Sequence, residues 1–330
     1  MNKLVVSLSP HVHSGDSIAK NMYWVIIALV PALLCSFIAF GVGAIITTAI
    51  SVAACVFFEW AINKLCLKNP VCTVCDGSAI LTGILLAFNM PSNIQPWIVV
   101  IGAFFAIAVV KMTFGGLGCN LFNPALAGRA FLLISFPVDM TTWPVPGQGF
   151  GTYLDAETGA TPLSIMKAAF KDGDVSKLEQ LPSLQDMLIG NTGGCLGEVC
   201  ALALIIGLVI LLAKKVITWH IPVSILLTVV VLSGLLNLAN PIYANPLAEL
   251  LSGGLLLGAI FMATDYVTSP MSAKGQLVYG VAIGALTVII RTFGAYPEGM
   301  SFAILIMNAF VPLINSKFKP TRFGEVPVKK

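Results

Sequence analysis

The chain has 330 residues; 57% are hydrophobic and only 10% carry charge, against about 25% charged in an ordinary soluble domain. With a mean hydropathy of +0.93, it holds more apolar surface than a soluble fold of this size could bury, which excludes a soluble enzyme, a nucleic-acid binder and a disordered chain. The apolar residues come in long blocks rather than alternating with polar ones, so the sequence reads as an all-α polytopic membrane protein rather than a transmembrane β-barrel.

Residues 21–58, 77–110, 216–248, 275–290 and 299–316 contain no charged side chain. Each is a membrane-scale stretch, and the longer ones hold two helices. Ten spans are predicted: 22–40, 44–63, 77–90, 95–112, 122–137, 195–213, 218–237, 246–263, 276–291 and 299–316. The third is short and ends at Pro91; the eighth breaks at Thr264-Asp265 and runs into Thr268-Ser269-Pro270. Short and broken spans are common where a site lies inside a bundle. The segment 1–21 shows no small-residue cleavage site, so the first span is expected to remain as an anchor.

Lysine placement orients the chain. With residues 1–21 in the cytoplasm, that side also receives Lys20, Lys64, Lys68, Lys111, Lys214, Lys215, Lys274 and the basic tail 317–330, while the turns near Gly41, 89–95 and 237–245 receive no Lys or Arg. Both termini are therefore expected to be cytoplasmic. The one long polar segment, 138–194, follows five spans and falls on the outer side; it holds three lysines and seven acidic residues, and loops this long are usually functional. The expected organisation is a first five-helix half (22–137), the outer loop (138–194) and a second five-helix half (195–316). Val110-Lys111-Met112-Thr113-Phe114-Gly115 resembles Ile290-Arg291-Thr292-Phe293-Gly294, and Pro91 aligns with Pro270, at an offset of 179 residues. Five helices per half is an odd number, so the repeat would be inverted, an arrangement that builds a site near the midplane.

The outer loop carries Asp155-Ala156-Glu157-Thr158-Gly159-Ala160-Thr161-Pro162-Leu163. By composition this is a turn of small residues closed by a proline. It also resembles the flavinylation motif Asp-x-x-Ser/Thr-Gly-Ala-Thr, whose last threonine carries FMN through a phosphoester. Here that residue is Thr161, with Asp155, Thr158, Gly159 and Ala160 at the other motif positions. Modification calls for an exposed hydroxyl, which a loop supplies. Asp76-Gly77-Ser78-Ala79, the glycine-rich run from Phe114 through Asn120 and Asn123 to Ala125, Gly128-Arg129-Ala130-Phe131, Thr264-Asp265-Tyr266-Val267-Thr268-Ser269-Pro270 and Tyr296-Pro297-Glu298-Gly299 follow in order.

Together these segments are similar to the family that comprises the B subunit of Na+-translocating NADH:quinone oxidoreductase and the D subunit of the Rnf electron-transport complex, and the length is nearer to the latter. The resemblance implies an electron-carrying subunit, inactive alone, of a complex that passes electrons between ferredoxin and NAD+ and pumps Na+ or H+. It implies covalent FMN on Thr161, a flavin transferase for maturation, and partner subunits that include a second flavoprotein and iron–sulfur proteins. It also implies a multi-pass protein of the bacterial cytoplasmic (inner) membrane, with no catalytic residue of its own and no metal. A solute channel and a cofactor-free scaffold compete with this reading, but neither gives a reason for the Asp-x-x-Thr-Gly-Ala-Thr string.

Other residues admit two readings. The run 115–124 is a tight re-entrant turn, or a close backbone approach to a planar ligand with Asn120 and Asn123 as amide partners; the resemblance implies noncovalent riboflavin there. Glu59, Asp76, Lys111, Arg129, Asp265 and Arg291 lie in or beside spans, where an unpartnered charge costs at least about 2.5–3.5 kcal/mol. Glu59, Asp76 and Lys111 are expected to snorkel to the interface. Asp265, among Thr264, Thr268 and Ser269, suits ion coupling or a helix-end cap. Arg129 and Arg291 suit a flavin phosphate, a carboxylate or a structural lock. Cys66 and Cys72-x-x-Cys75 lack a nearby fourth cysteine, so ordinary thiols are expected. Cys35, Cys55, Cys195 and Cys200 read as small hydrophobes in apolar helices, and His11, His13 and His220 form no ligand set.

Overall fold

The computed structural model describes residues 16–68, 73–148, 153–243, 245–296 and 298–319. His11, His13, Cys72 and the tail from 320 lie outside them. Among the described residues all regular elements are helical, and the one isolated β-bridge joins Pro144 to Thr158.

The first half holds α1 (Ile18–Phe40), α2 (Val42–Ala61), α3 (Ser78–Phe88), α4 (Pro96–Phe104) and α5 (Pro124–Ser135). Both α2 and α4 continue as π-helices, to Cys66 and Met112. The polar segment contains α6 (Pro137–Thr141), α7 (Pro162–Asp172) and α8 (Leu184–Ile189). The second half holds α9 (Ala201–Ala213), α10 (His220–Ala239), α11 (Pro246–Leu251), α12 (Leu255–Leu257, extended by a π-turn to Met262), α13 (Ala273–Phe293) and α14 (Met300–Lys317). Five helices, α1, α2, α10, α13 and α14, are long and apolar enough to cross a membrane, and α3, α4, α5 and α9 are shorter and apolar. This is the polytopic helical architecture that the composition demanded.

Helix starts are written locally. Asn123, Thr161 and Asn245 each accept a first-turn N–H through the side-chain oxygen, and each is followed by a proline at the first helical position. Proline has no N–H to leave unsatisfied there, and its fixed φ suits the first turn.

Two predicted spans differ from the structure. The sixth was expected from 195, but α9 begins at Ala201. Leu196 and Gly197 instead donate their N–H groups to the carbonyls of Met90 (3.2 Å) and Phe88 (2.9 Å), satisfying groups that the end of α3 leaves open. A Cβ at Gly197 would lie 2.6 Å from that of Phe88. The eighth span is interrupted at Ser252-Gly253-Gly254, where Gly253 adopts φ +66°.

The halves run in opposite senses. Lys214, at the end of α9, lies 4.4 Å over the Trp24 ring near the start of α1. The short helices α3 and α12 approach from opposite ends and meet: the Asn89 amide, at the α3 C-cap, donates to Met262 Sδ at 3.7 Å. Contacts recur at the sequence offset. Arg129 on α5 donates to Asn89 Oδ1 (3.1 Å) and to the Ser301 hydroxyl. Asn308 on α14, 179 positions later, donates to the Thr268 carbonyl and accepts from Asn123 N–H, both at 3.2 Å, with its amide in the orientation that satisfies both atoms. Asn89 and Thr268 are separated by the same 179 positions.

Buried charge is concentrated at the joints between helices. Lys111 and Glu59 form an ion pair at 2.6 Å with side chains only 3% and 1% exposed. The expectation that they snorkel is therefore wrong. Each meets the opposite charge inside the bundle, and Lys111 also donates to Ser78 Oγ at 2.6 Å, which offsets desolvation. Asp76 is half-buried at the basic end and accepts the Ser78 N–H (2.8 Å) and hydroxyl at the start of α3. Arg291 pairs with Glu249 at 3.2 Å, and Arg129 pairs with Glu298.

Candidate functional site

Helix direction gathers Lys20, Lys64, Lys68, Lys111, Lys214, Lys215, Lys274 and Lys317 at one end of the bundle, the basic end; α7 and α8 lie at the other, the loop end. Each end carries residues singled out in the sequence.

At the basic end an open cavity of about 800 Å³ is lined by Lys111, Asn120, Asn123, Thr264 and Asp265 together with apolar side chains such as Leu85 and Phe261. The structure thus brings Asn120, Asn123 and Asp265 to one wall, a convergence the sequence did not show. Their polar atoms are largely engaged. Asn123 Oδ1 accepts from Ala125 and Leu126 N–H (3.1 and 3.4 Å), and its amide donates to the Met262 carbonyl at 3.3 Å. The Asn120 amide donates to the Phe122 carbonyl at 3.0 Å. Asp265 accepts from Val267 N–H (3.4 Å) and the Thr268 hydroxyl (3.3 Å), which is the arrangement of a turn cap. Beside them, Gly115, Gly116 and Gly118 adopt φ of +114°, +92° and +93°, and nothing lies within 4 Å of a Cβ added at Gly116 or Gly118. Only glycine tolerates that backbone readily, and it leaves room for a ligand to approach.

At the loop end, Val145 donates to the Glu157 carbonyl and Gly159 to that of Trp143, both at 2.9 Å. These rungs present Asp155, Thr158, Gly159 and Ala160 to solvent. Thr161 does not share that exposure: it is 7% exposed, against the expectation of an exposed hydroxyl. The reason is its place as the N-cap of α7, where Oγ1 accepts from Ser164 N–H at 3.2 Å, while Leu163 packs against Gly253 beneath it. Thr161 borders a cavity of about 340 Å³ that Glu198 and Glu298 also line.

A model of the NQR2, RnfD, RnfE family matches residues 5–324. The chain belongs to this family. It is 46% identical over 329 residues to the D subunit of the Na(+)-translocating ferredoxin:NAD(+) oxidoreductase complex of Acetobacterium woodii, covering 99% of this chain and 97% of the relative. It is 41% identical over 328 residues to the D subunit of the proton-translocating ferredoxin:NAD(+) oxidoreductase complex of Clostridium ljungdahlii, covering 98% and 97%. The D subunit of the ion-translocating oxidoreductase complex of Actinobacillus succinogenes is 38% identical over 344 residues, covering 96% of each chain.

In this member of the NQR2, RnfD, RnfE family, the residues that sequence reasoning left without a role are the glutamates. Glu249 and Glu298 are the counter-charges of Arg291 and Arg129, so both arginines serve carboxylates and lock the fold. Cys195 is not in a helix as expected. It is buried outside α9, where Arg129 Nη2 donates to its sulfur at 3.7 Å. Its Sγ and carboxylate oxygens of Glu198 and Glu298 lie within 4.8 Å of one another. Only the cost of burying Arg129 and Arg291 hinted that acidic partners must exist.

Proposed function

We propose that this chain is the flavin-bearing membrane D subunit of a complex coupling electron transfer between ferredoxin and NAD+ to Na+ or H+ translocation, with FMN held covalently on Thr161. The relatives' names support the complex and its reaction; the placement of Thr161 supports the flavin. A phosphoester on Thr161 stands at the N-terminus of an eleven-residue helix, whose positive dipole end favours a phosphate. The exposed string before it offers a flavin transferase a held, extended segment, and the adjoining cavity leaves space at the hydroxyl side of the helix. Bound there, FMN supplies one- and two-electron transfer. The residues of this chain orient it and cap its phosphate.

Lysine placement supports a cytoplasmic basic end and an outward loop end, in a bacterial inner membrane. The cavity of the basic end suits noncovalent riboflavin, with Asn120 and the glycine backbone as its polar partners; Asn123 is committed to capping α5. Asp265, on the wall of that cavity, is the residue we assign to ion coupling. Electron partners are a second flavoprotein and iron–sulfur subunits.

Peptide mass spectrometry of the chain purified from membranes should find one FMN, less one water, on Thr161. Thr161→Ala should remove flavin fluorescence from the denatured band while the protein still inserts, and Thr161→Ser should retain it. An adduct mapped to Thr158 or Ser164, or a fluorescent Thr161→Ala band, overturns the assignment.

A further inference from the structure

We infer that the cavity between α7 and the end of α13 receives the isoalloxazine ring of the flavin carried on Thr161, with Lys167 as its positive neighbour and Phe170 and Tyr243 as its stacking wall. This rests on the covalent FMN proposed above.

Position comes first. Leu163 borders both the cavity at Thr161 and a second one of about 410 Å³ on the other face of α7, which Lys167, Phe170, Tyr243 and Arg291 line. Lys167 lies six residues along the helix from Thr161, about 9 Å at the helical rise, and Phe170 nearly one turn further. A flexible ribityl arm rooted at the N-cap therefore runs along α7 toward them.

The lining suits a planar ring. Phe170 and Tyr243 stack with centroids 5.3 Å apart and planes at 30°, and Phe293 meets Phe170 edge-on at 6.1 Å. Such a wall extends by adding one more aromatic surface.

Charge separates the two cavities. In the one at Thr161, Glu298 is paired with Arg129, and Glu198 is the acid left without a cation among the described residues, so its charge repels an electron-rich reduced flavin. In the second, Arg291 is offset by Glu249, and its Nε is buried without a partner. Lys167 donates to the carbonyls of Gly294 and Tyr296 and has no acidic partner among the described residues. Burial lowers its proton affinity, so an anion beside it supplies what its surroundings lack. A cation there stabilises the anionic reduced ring relative to the neutral oxidised one.

The test uses the full chain, purified in mild detergent with its covalent flavin. Tyr243→Phe should raise native flavin fluorescence several-fold, because a stacked phenol quenches the excited ring. Lys167→Gln should shift the midpoint potential of the covalent flavin downward and diminish the anionic semiquinone, and Lys167→Arg should restore both. Denatured-gel fluorescence should be equal in all variants. Native fluorescence unchanged in Tyr243→Phe, with an unmoved potential in Lys167→Gln, overturns the docking site if the denatured bands still fluoresce. A dark denatured band from the unmutated chain overturns the Thr161 reading instead.

Discussion

At the basic end, polar groups line an open cavity but are spent on helix starts and turns: Asn123 caps α5, Asp265 caps its own turn, and Lys111 is neutralised by Glu59. At the loop end, a polar segment folds onto the bundle, and its contacts reach far along the chain. Gly197 covers the end of α3, and Lys167 binds carbonyls beyond the end of α13, while Glu298 neutralises Arg129. At the first end most caps close within their own turns, with Lys111–Glu59 and the Asn123 bond to the Met262 carbonyl as its long-range links. The other is organised by long-range pairing and depends on both halves being assembled.

The largest expected effect breaks that long-range pairing. Arg129→Ala leaves the largely enclosed Glu298 without its cation and removes the bonds to Asn89 and Ser301, a loss of about 3–5 kcal/mol. It should abolish the cooperative thermal transition of the detergent-purified chain; a melting curve like the unmutated protein's would show that Arg129 does not join the halves. A glycine pair sharpens the contrast. Gly197→Ala drives a methyl into Phe88, costing about 1–3 kcal/mol, whereas Gly118→Ala meets open space and should cost only the left-handed backbone penalty, about 1–2 kcal/mol. Equal destabilisation at both sites would deny that the loop end is the tighter one.

A smaller effect separates two neighbouring asparagines. Asn123→Ala should lower stability by about 1 kcal/mol through the lost cap, measured by thermal melting. Asn120→Ala should leave stability alone and reduce the noncovalent flavin released by acid. The smallest structural effect is at Asp265. Asp265→Asn keeps an oxygen for the turn, so flavin content and melting should be unchanged while ion transport into proteoliposomes is lost. Loss of folding together with transport would return Asp265 to the capping role alone.

The basic end was largely legible in the sequence. Its helices follow from apolar blocks. The loop end was legible only as a motif. Nothing local indicates that residues 195–200 serve α3 rather than starting a helix, because that depends on carbonyls about 110 positions earlier. Thr161 reads as exposed because its neighbours are; its burial comes from capping and from Leu163 against Gly253. Glu59 and Lys111 read as interfacial because each was judged alone, and a buried pair is visible only when both helices are in place.

The meeting of α3 and α12 at Asn89 and Met262 has an electrical consequence. A membrane voltage drops across whatever insulating material separates the two aqueous phases. With an open cavity reaching Asn123 from one side, that insulator is thinned to the packed material beyond it, which begins with the layer holding Arg129, Asn89, Met262 and Asn308. The field within that material is correspondingly steep. A single elementary charge crossing it works against nearly the full potential, about 2.3 kcal/mol per 100 mV, although it travels only a fraction of the bilayer's thickness.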